Sequence, residues 1–240
     1  MTLLKLNRPA SLGFLFLFLV AIALFCIQCG SYSIPFPTVL KTLSSHIFSI
    51  PQMSSIPALN HTIIWNIRLP RTFLAILVGI SLSTSGAVFQ GCFKNPLVEP
   101  YILGISSGAA FGATLGIVFP AFFLSVQILA FIFGFLAVTI AYAMARVRGE
   151  TPVVILVLSG IITGAIFASL VGIMKYLAQD TALREIVFWL MGGFYYAGWR
   201  DVFVLFPIVF IGFLIIWLSG WKLNVLSMGD QEAKSLGVNP

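Results

Sequence analysis

Residues 12–29 of this 240-residue chain read LGFLFLFLVAIALFCIQC, without one charged side chain, and runs of this kind recur along the sequence. That pattern leaves few folds open. A hydrocarbon core about 30 Å thick takes roughly 20 helical residues to cross. Inside it every backbone N–H and C=O must find a partner within the protein, which permits only helices and closed barrels. The runs are continuously apolar and do not alternate every second residue, so helices are expected. Hydrophobic residues make up 60% of the chain and charged ones 8%, against about 25% charged in soluble domains, and the mean hydropathy is +1.07. The expected fold is an all-α integral membrane protein, a polytopic helix bundle forming one domain over residues 1–240.

Six spans are expected, at 11–29, 71–91, 101–119, 121–145, 153–176 and 202–220. The first follows Lys5 and Arg8 like a signal peptide, but it is longer than an ordinary signal core and no small-x-small cleavage site follows, so it reads as a retained span. Between the first two spans lies a serine-rich stretch with five prolines, which reads as irregular surface chain. IVFWLMGGFYYAGW (186–199) is too short to cross, and its Trp and Tyr suit a short interfacial helix.

With the N-terminus inside, the inner side holds Lys5, Arg8, Lys94, Arg146, Arg148, Lys222 and Lys234, seven of the 13 basic residues. The outer side holds Lys41, Arg68, Arg71, Lys175, Arg184 and Arg200, the other six. The count is nearly even. Lys5, Arg8 and the ARVRGE cluster favour a cytoplasmic N-terminus, and the outer arginines then need a reason. The net charge of +6 matches basic membrane loops, and no basic stripe with interleaved aromatics points to nucleic acid.

Small residues recur every fourth position in two spans: Gly79, Ser83, Ala87 and Gly91, then Gly104, Gly108, Gly112 and Gly116. Helices in lipid associate through close contact of such residues, so both stripes are expected to be packing faces. Between them CFKNPLVEP (92–100) sets Lys94, Asn95 and Glu99 around Pro96 and Pro100, which forbid a continuous helix. Spacing alone makes this a tight hairpin. RLPR (68–71) opens the second span with Pro70 in a first turn. Its arginines are either snorkelling to the interface or offered outward to a carboxylate-bearing partner. In the tail SMGDQEAKSLGVNP (227–240), Asp230 suits a helix start and Gly237 a stop.

No Walker loop, HExxH or nucleophilic triad is present, and the two histidines, His46 and His61, lie in the serine-rich stretch. Cys26, Cys29 and Cys92 read as packing residues. Neither enzyme chemistry nor a cofactor or metal site is expected.

The string IRLPRTFLAILVGISLSTSGAVFQGCFKNPLVEPYILGISSGAA (67–110), followed by FWLMGGFYYAGWRDV (188–202) and GDQEAKSLGV (229–238), resembles the permease subunits of ABC importers for iron-siderophores, haem and vitamin B12. The resemblance runs from residue 11 onward. It implies that Arg68 and Arg71 face the periplasm and pair with glutamates of a substrate-binding protein. It also implies a cytoplasmic gate at Asn95, Pro96 and Leu97 with Thr151 and Pro152, and an ATPase coupling segment at Gly229, Asp230, Ala233, Leu236 and Gly237. The implied partners are an ATPase subunit, a periplasmic or lipid-anchored binding protein, a second permease subunit and the inner-membrane bilayer, with no nucleic acid. Family permeases carry ten spans, so this chain is expected to be the family pattern without its last four. The competing readings are an ion-coupled secondary transporter, which calls for ionisable groups within the spans, and a non-transporting membrane scaffold.

Overall fold

The computed structural model describes residues 8–48, 57–120, 124–146 and 151–238. Lys5 and Arg148 of the charge count fall outside them, as does most of the ARVRGE cluster. All regular elements among the described residues are helical: α1 (Arg8–Gln28), α2 (Phe36–Phe48), α3 (Ala58–Thr62), a π-helical turn (Ile63–Arg68), α4 (Leu69–Cys92), α5 (Ile105–Val118), α6 (Val126–Ala145), α7 (Val153–Leu177), α8 (Asp180–Met191), α9 (Trp199–Leu218), α10 (Gly220–Met228) and α11 (Asp230–Ser235). Five helical runs are long and apolar enough to cross a bilayer: Pro9–Gln28, Ala58–Cys92, Val126–Ala145, Val153–Leu177 and Trp199–Leu218.

Three expectations are corrected. The stretch between the first two spans is largely helical, with α2 after Pro35 and α3 beginning directly after Pro57. Proline terminates helices from within but is well placed at or before their starts. Pro70 is the second residue of α4, but the helical run continues upstream of it without a gap. A proline there lacks an N–H and crowds the carbonyl four residues back. The wider π turn just upstream relaxes this ladder, Leu69 N–H bonding Ile64 O five residues earlier. Second, the span expected at 101–119 is the 14-residue α5, about 21 Å long at 1.5 Å per residue, because 101–104 form a turn. Third, the short helix expected at 186–199 is α8, which ends at Met191 where Gly192 (φ 68°) and Gly193 (φ 151°) break it.

The chain divides into two compact units. Met1–Ser81 with Phe194–Phe213 buries Ile27, Ile34, Val39, Ile64 and Leu69 in one cluster and Leu74, Leu77 and Val202 in a second. Trp199 joins the margins of both and donates from Nε1 to the Trp65 carbonyl on the π turn at 2.9 Å. Leu82–Gly193 with Leu214–Pro240 is built on α5, α6 and α7, which pack on one another. Large apolar side chains such as Phe14, Phe16, Phe131, Phe135, Phe203 and Trp217 are exposed, as helices bathed in hydrocarbon require.

Candidate functional site

Within the first unit, Arg68 is 8% exposed. Nη1 donates to the carbonyls of Ile27 at 2.9 Å and Gln28 at 2.7 Å, and Nη2 donates to that of Tyr32. The last carbonyls of α1 lack intrahelical partners and carry the negative end of the helix dipole, so a guanidinium is their natural cap. Gly30 makes the approach possible: a Cβ there would lie 2.6 Å from Nη2 and 2.9 Å from Cζ of Arg68. A fork held in this way has both Nη atoms committed to carbonyls of its own chain. Arg71 is half-buried, donates from Nη2 to the Tyr195 carbonyl, and keeps a buried Nε with no hydrogen-bond partner among the described residues.

In the second unit the knuckle at 93–104 is stiff at both ends. α4 closes with Lys94 in the left-handed region (φ 51°), Lys94 N–H bonding Gly91 O at 3.2 Å and Asn95 N–H bonding Gln90 O at 3.2 Å. This is the paired pattern of a Schellman stop, with lysine where glycine is usual. Asn95 Oδ1 accepts from Leu97 N at 3.0 Å, an Asx turn spanning Pro96, and Gln90 Nε2 reaches the Val98 carbonyl at 3.4 Å. A hydrogen bond from the Tyr101 phenol to Glu99 raises the phenol's pKa. Val98 and Leu103 turn inward at 5% and 7% exposure, while Leu97 stands out at 85%.

The return of the loop rests on α7. Gly104 (φ 78°) begins α5, and a Cβ on it would lie 3.0 Å from Gly160 O and from Gly164 N; a Cβ on Gly160 would lie 2.8 Å from Leu103 Cα. Gly160 and Gly164 form a small-xxx-small pair that the sequence reading passed over, although its spacing was there to be read. Farther along α5, a Cβ on Gly108 would lie 2.6 Å from Ala137 Cβ on α6, one on Gly112 would strike the Leu129 carbonyl, and one on Gly116 would lie 3.0 Å from Leu129 Cδ1. α4 behaves differently. Among the described residues Gly79 has nothing in reach, Ala87 is exposed, and Gly91 meets only Ser227 Cβ at 4.0 Å, while the buried small residue is Gly86, under Pro100 Cγ at 3.5 Å. Of the α4 stripe, Ser83 is also exposed. Matching four-residue stripes therefore do not make α4 and α5 a glycine-packed pair.

Thr151 is half-buried and Pro152 caps α7 in an extended conformation, its carbonyl accepting from Leu156 N at 3.0 Å. In the tail Gly229 (φ 147°) separates α10 from α11, which Asp230 opens. A Cβ at Gly229 would strike the Glu232 carboxylate. Val238 N–H bonds Ala233 O at 2.9 Å and Gly237 N–H bonds Lys234 O at 3.1 Å, with Gly237 at φ 75°, a second Schellman stop. Ala233 is fully buried and Leu236 is half exposed.

Residues 15–240 match the FecCD transport family. The molybdate import system permease protein MolB of Haemophilus influenzae is 34% identical over 234 residues, 97% of this chain and 68% of that protein. A probable iron chelatin transport system permease of Helicobacter pylori is 39% identical over 202 residues, 84% of this chain and 60% of its own length. The hemin transport system permease HmuU of Yersinia pestis is 37% identical, with 95% of this chain and 66% of that one covered. A solved inward-facing structure described as a metal-chelate type ABC transporter superposes with a TM-score of 0.80 at 34% identity, over 96% of this chain and 68% of that one. The chain thus spans about 60–68% of the length of these relatives. An all-helical membrane fold, a match over residues 15–240 and this superposition agree: the chain belongs to the FecCD transport family.

Proposed function

We propose that this chain supplies membrane-spanning helices of the permease of an ATP-binding-cassette importer, moving a metal chelate of the iron-siderophore, haem or cobalamin kind inward by alternating access. The family match over residues 15–240 carries the reading, since relatives in that family are named as permeases for iron chelatin, hemin and cobalamin. The molybdate relative extends the cargo class to an oxyanion. No covalent step is asked of the chain. An ATPase subunit supplies the energy, a binding protein delivers the cargo, and a second permease subunit, identical or not, completes the path across the inner membrane with this N-terminus on the cytoplasmic side.

In this reading Asn95, Pro96 and Leu97 act as a cytoplasmic gate with Thr151 and Pro152. The exposure of Leu97 on a loop hydrogen-bonded at both ends supports this, because such a loop carries its tip as a rigid body when its helices shift. Residues 229–237 couple to the ATPase: α11 is a short, firmly stopped helix presenting Leu236, and apolar anchors on rigid elements transmit displacement well. Docking of the binding protein falls chiefly to Arg71, with Arg68 holding the chain around it. The permease reconstituted in vesicles with its ATPase and binding protein will accumulate chelate only when ATP is present. Uptake that continues without ATP and follows a proton or sodium gradient overturns the reading.

A further inference from the structure

His46 on α2 and His61 on α3 lie 15 residues apart in sequence, yet His61 Nε2 and His46 Nδ1 are 3.4 Å apart. That is long for a hydrogen bond from an N–H, which clusters near 2.9–3.0 Å. The distance also equals a second kind of spacing. Two imidazole nitrogens bound at about 2.0–2.1 Å to one tetrahedral zinc lie roughly 3.3–3.4 Å apart. The pair is also held in advance. The His46 ring is tilted against Trp65, with centroids 3.7 Å apart, and Trp65 packs on Trp199 at 5.5 Å while its carbonyl accepts from Trp199 Nε1. One ring is therefore fixed by a buttressed indole and the other by its position on α3, next to the π turn that bears Trp65. His46 is exposed and His61 half-buried, so solvent ligands can complete a coordination sphere.

We propose that His46 and His61 form a two-histidine site for a borderline transition-metal dication, zinc, nickel or copper, in which neutral imidazole is the favoured donor and the ion bridges α2 to α3. The site belongs to the first unit and does not depend on the transport reading. No acidic or cysteine side chain joins it into a cluster of three among the described residues, so two histidines and water make up the set. An ion bound there sits beside Trp65, and a paramagnetic ion quenches that indole's fluorescence.

The test uses the full chain in detergent or nanodiscs with any affinity tag removed, since a histidine tag would bind the same ions. Zinc is titrated by calorimetry and nickel by tryptophan fluorescence, in the wild type, in His46→Gln, in His61→Gln and in a Cys26→Ser/Cys29→Ser control. The expected result is saturable binding of one ion per chain, weakened at least about tenfold by either histidine substitution and unchanged by the cysteine substitutions. Glutamine keeps a polar side chain of similar reach, and unchanged helical circular dichroism shows that each variant is folded. No saturable binding by the wild type overturns the proposal without reference to any variant. Equal affinity in the wild type and both histidine variants, or loss in the cysteine control, overturns it as well.

Discussion

Gly30→Ala tests whether Arg68 is a structural clamp. The new methyl would stand 2.6 Å from Nη2 and 2.9 Å from Cζ of Arg68, well inside the roughly 3.5–4.0 Å of ordinary non-bonded contact. A free arginine tip would swing aside at little cost. This one is bonded to the carbonyls of Ile27, Gln28 and Tyr32, so yielding lengthens those bonds. Overpacking of this kind costs about 1–3 kcal/mol. Gly30 has no left-handed φ, so where the obstacle is absent alanine is favoured by about 0.4–1 kcal/mol through the less flexible unfolded chain. Arg68→Lys removes the planar fork but keeps a charge at the end of α1. In that background Gly30→Ala should be neutral or stabilising. The coupling between the two positions is then about 1–4 kcal/mol, the overpacking cost alone at the low end and both contributions at the high end. Thermal unfolding in detergent, followed by tryptophan fluorescence, reads it at about 2–4 °C per kcal/mol for a chain of this size. Equal cost of Gly30→Ala in both backgrounds would refute the clamp.

Two glycines on α7 make a matched pair. Gly160→Ala drives a Cβ against Leu103 Cα at 2.8 Å and should cost about 1–3 kcal/mol, whereas Gly172→Ala meets nothing within 4 Å among the described residues and should stabilise by about 0.5–1 kcal/mol; thermal melts of the two variants in parallel give the comparison. Lys94→Gly removes the cost of holding a side chain at φ 51° and should raise stability by about 1 kcal/mol in the same melts, while loss of stability would show that the lysine side chain contributes more than its backbone costs. Arg71→Glu should abolish capture of the binding protein in a pull-down while leaving the melting temperature within a few degrees of wild type, and unchanged capture would remove Arg71 from the docking surface.

The apolar blocks were legible because hydrocarbon imposes its demand locally: each span must satisfy its own backbone, so length and continuity in LGFLFLFLVAIALFCIQC announce a helix without knowledge of its neighbours. The break at Pro96 and the stop at Gly237 were legible for the same reason, since proline and left-handed glycine act within one turn of chain. Helices around Pro35 and Pro57 were missed because proline says only where a ladder is interrupted, and the helical turns before Pro70 because the π turn at Ile63–Arg68 absorbs the interruption. Partners needed the three-dimensional structure. A glycine stripe shows that a helix can be approached closely, not by which helix: Gly108 and Gly112 meet α6, Gly104 meets α7, and Gly79 meets nothing among the described residues. Arg68 and Arg71 are three residues apart in one RLPR motif, yet the end of α1 lies within reach of Arg68 and draws its guanidinium inward. Secondary structure in a membrane is settled by short-range backbone satisfaction, whereas the fate of a glycine or an arginine is settled by which distant carbonyl or methyl arrives beside it.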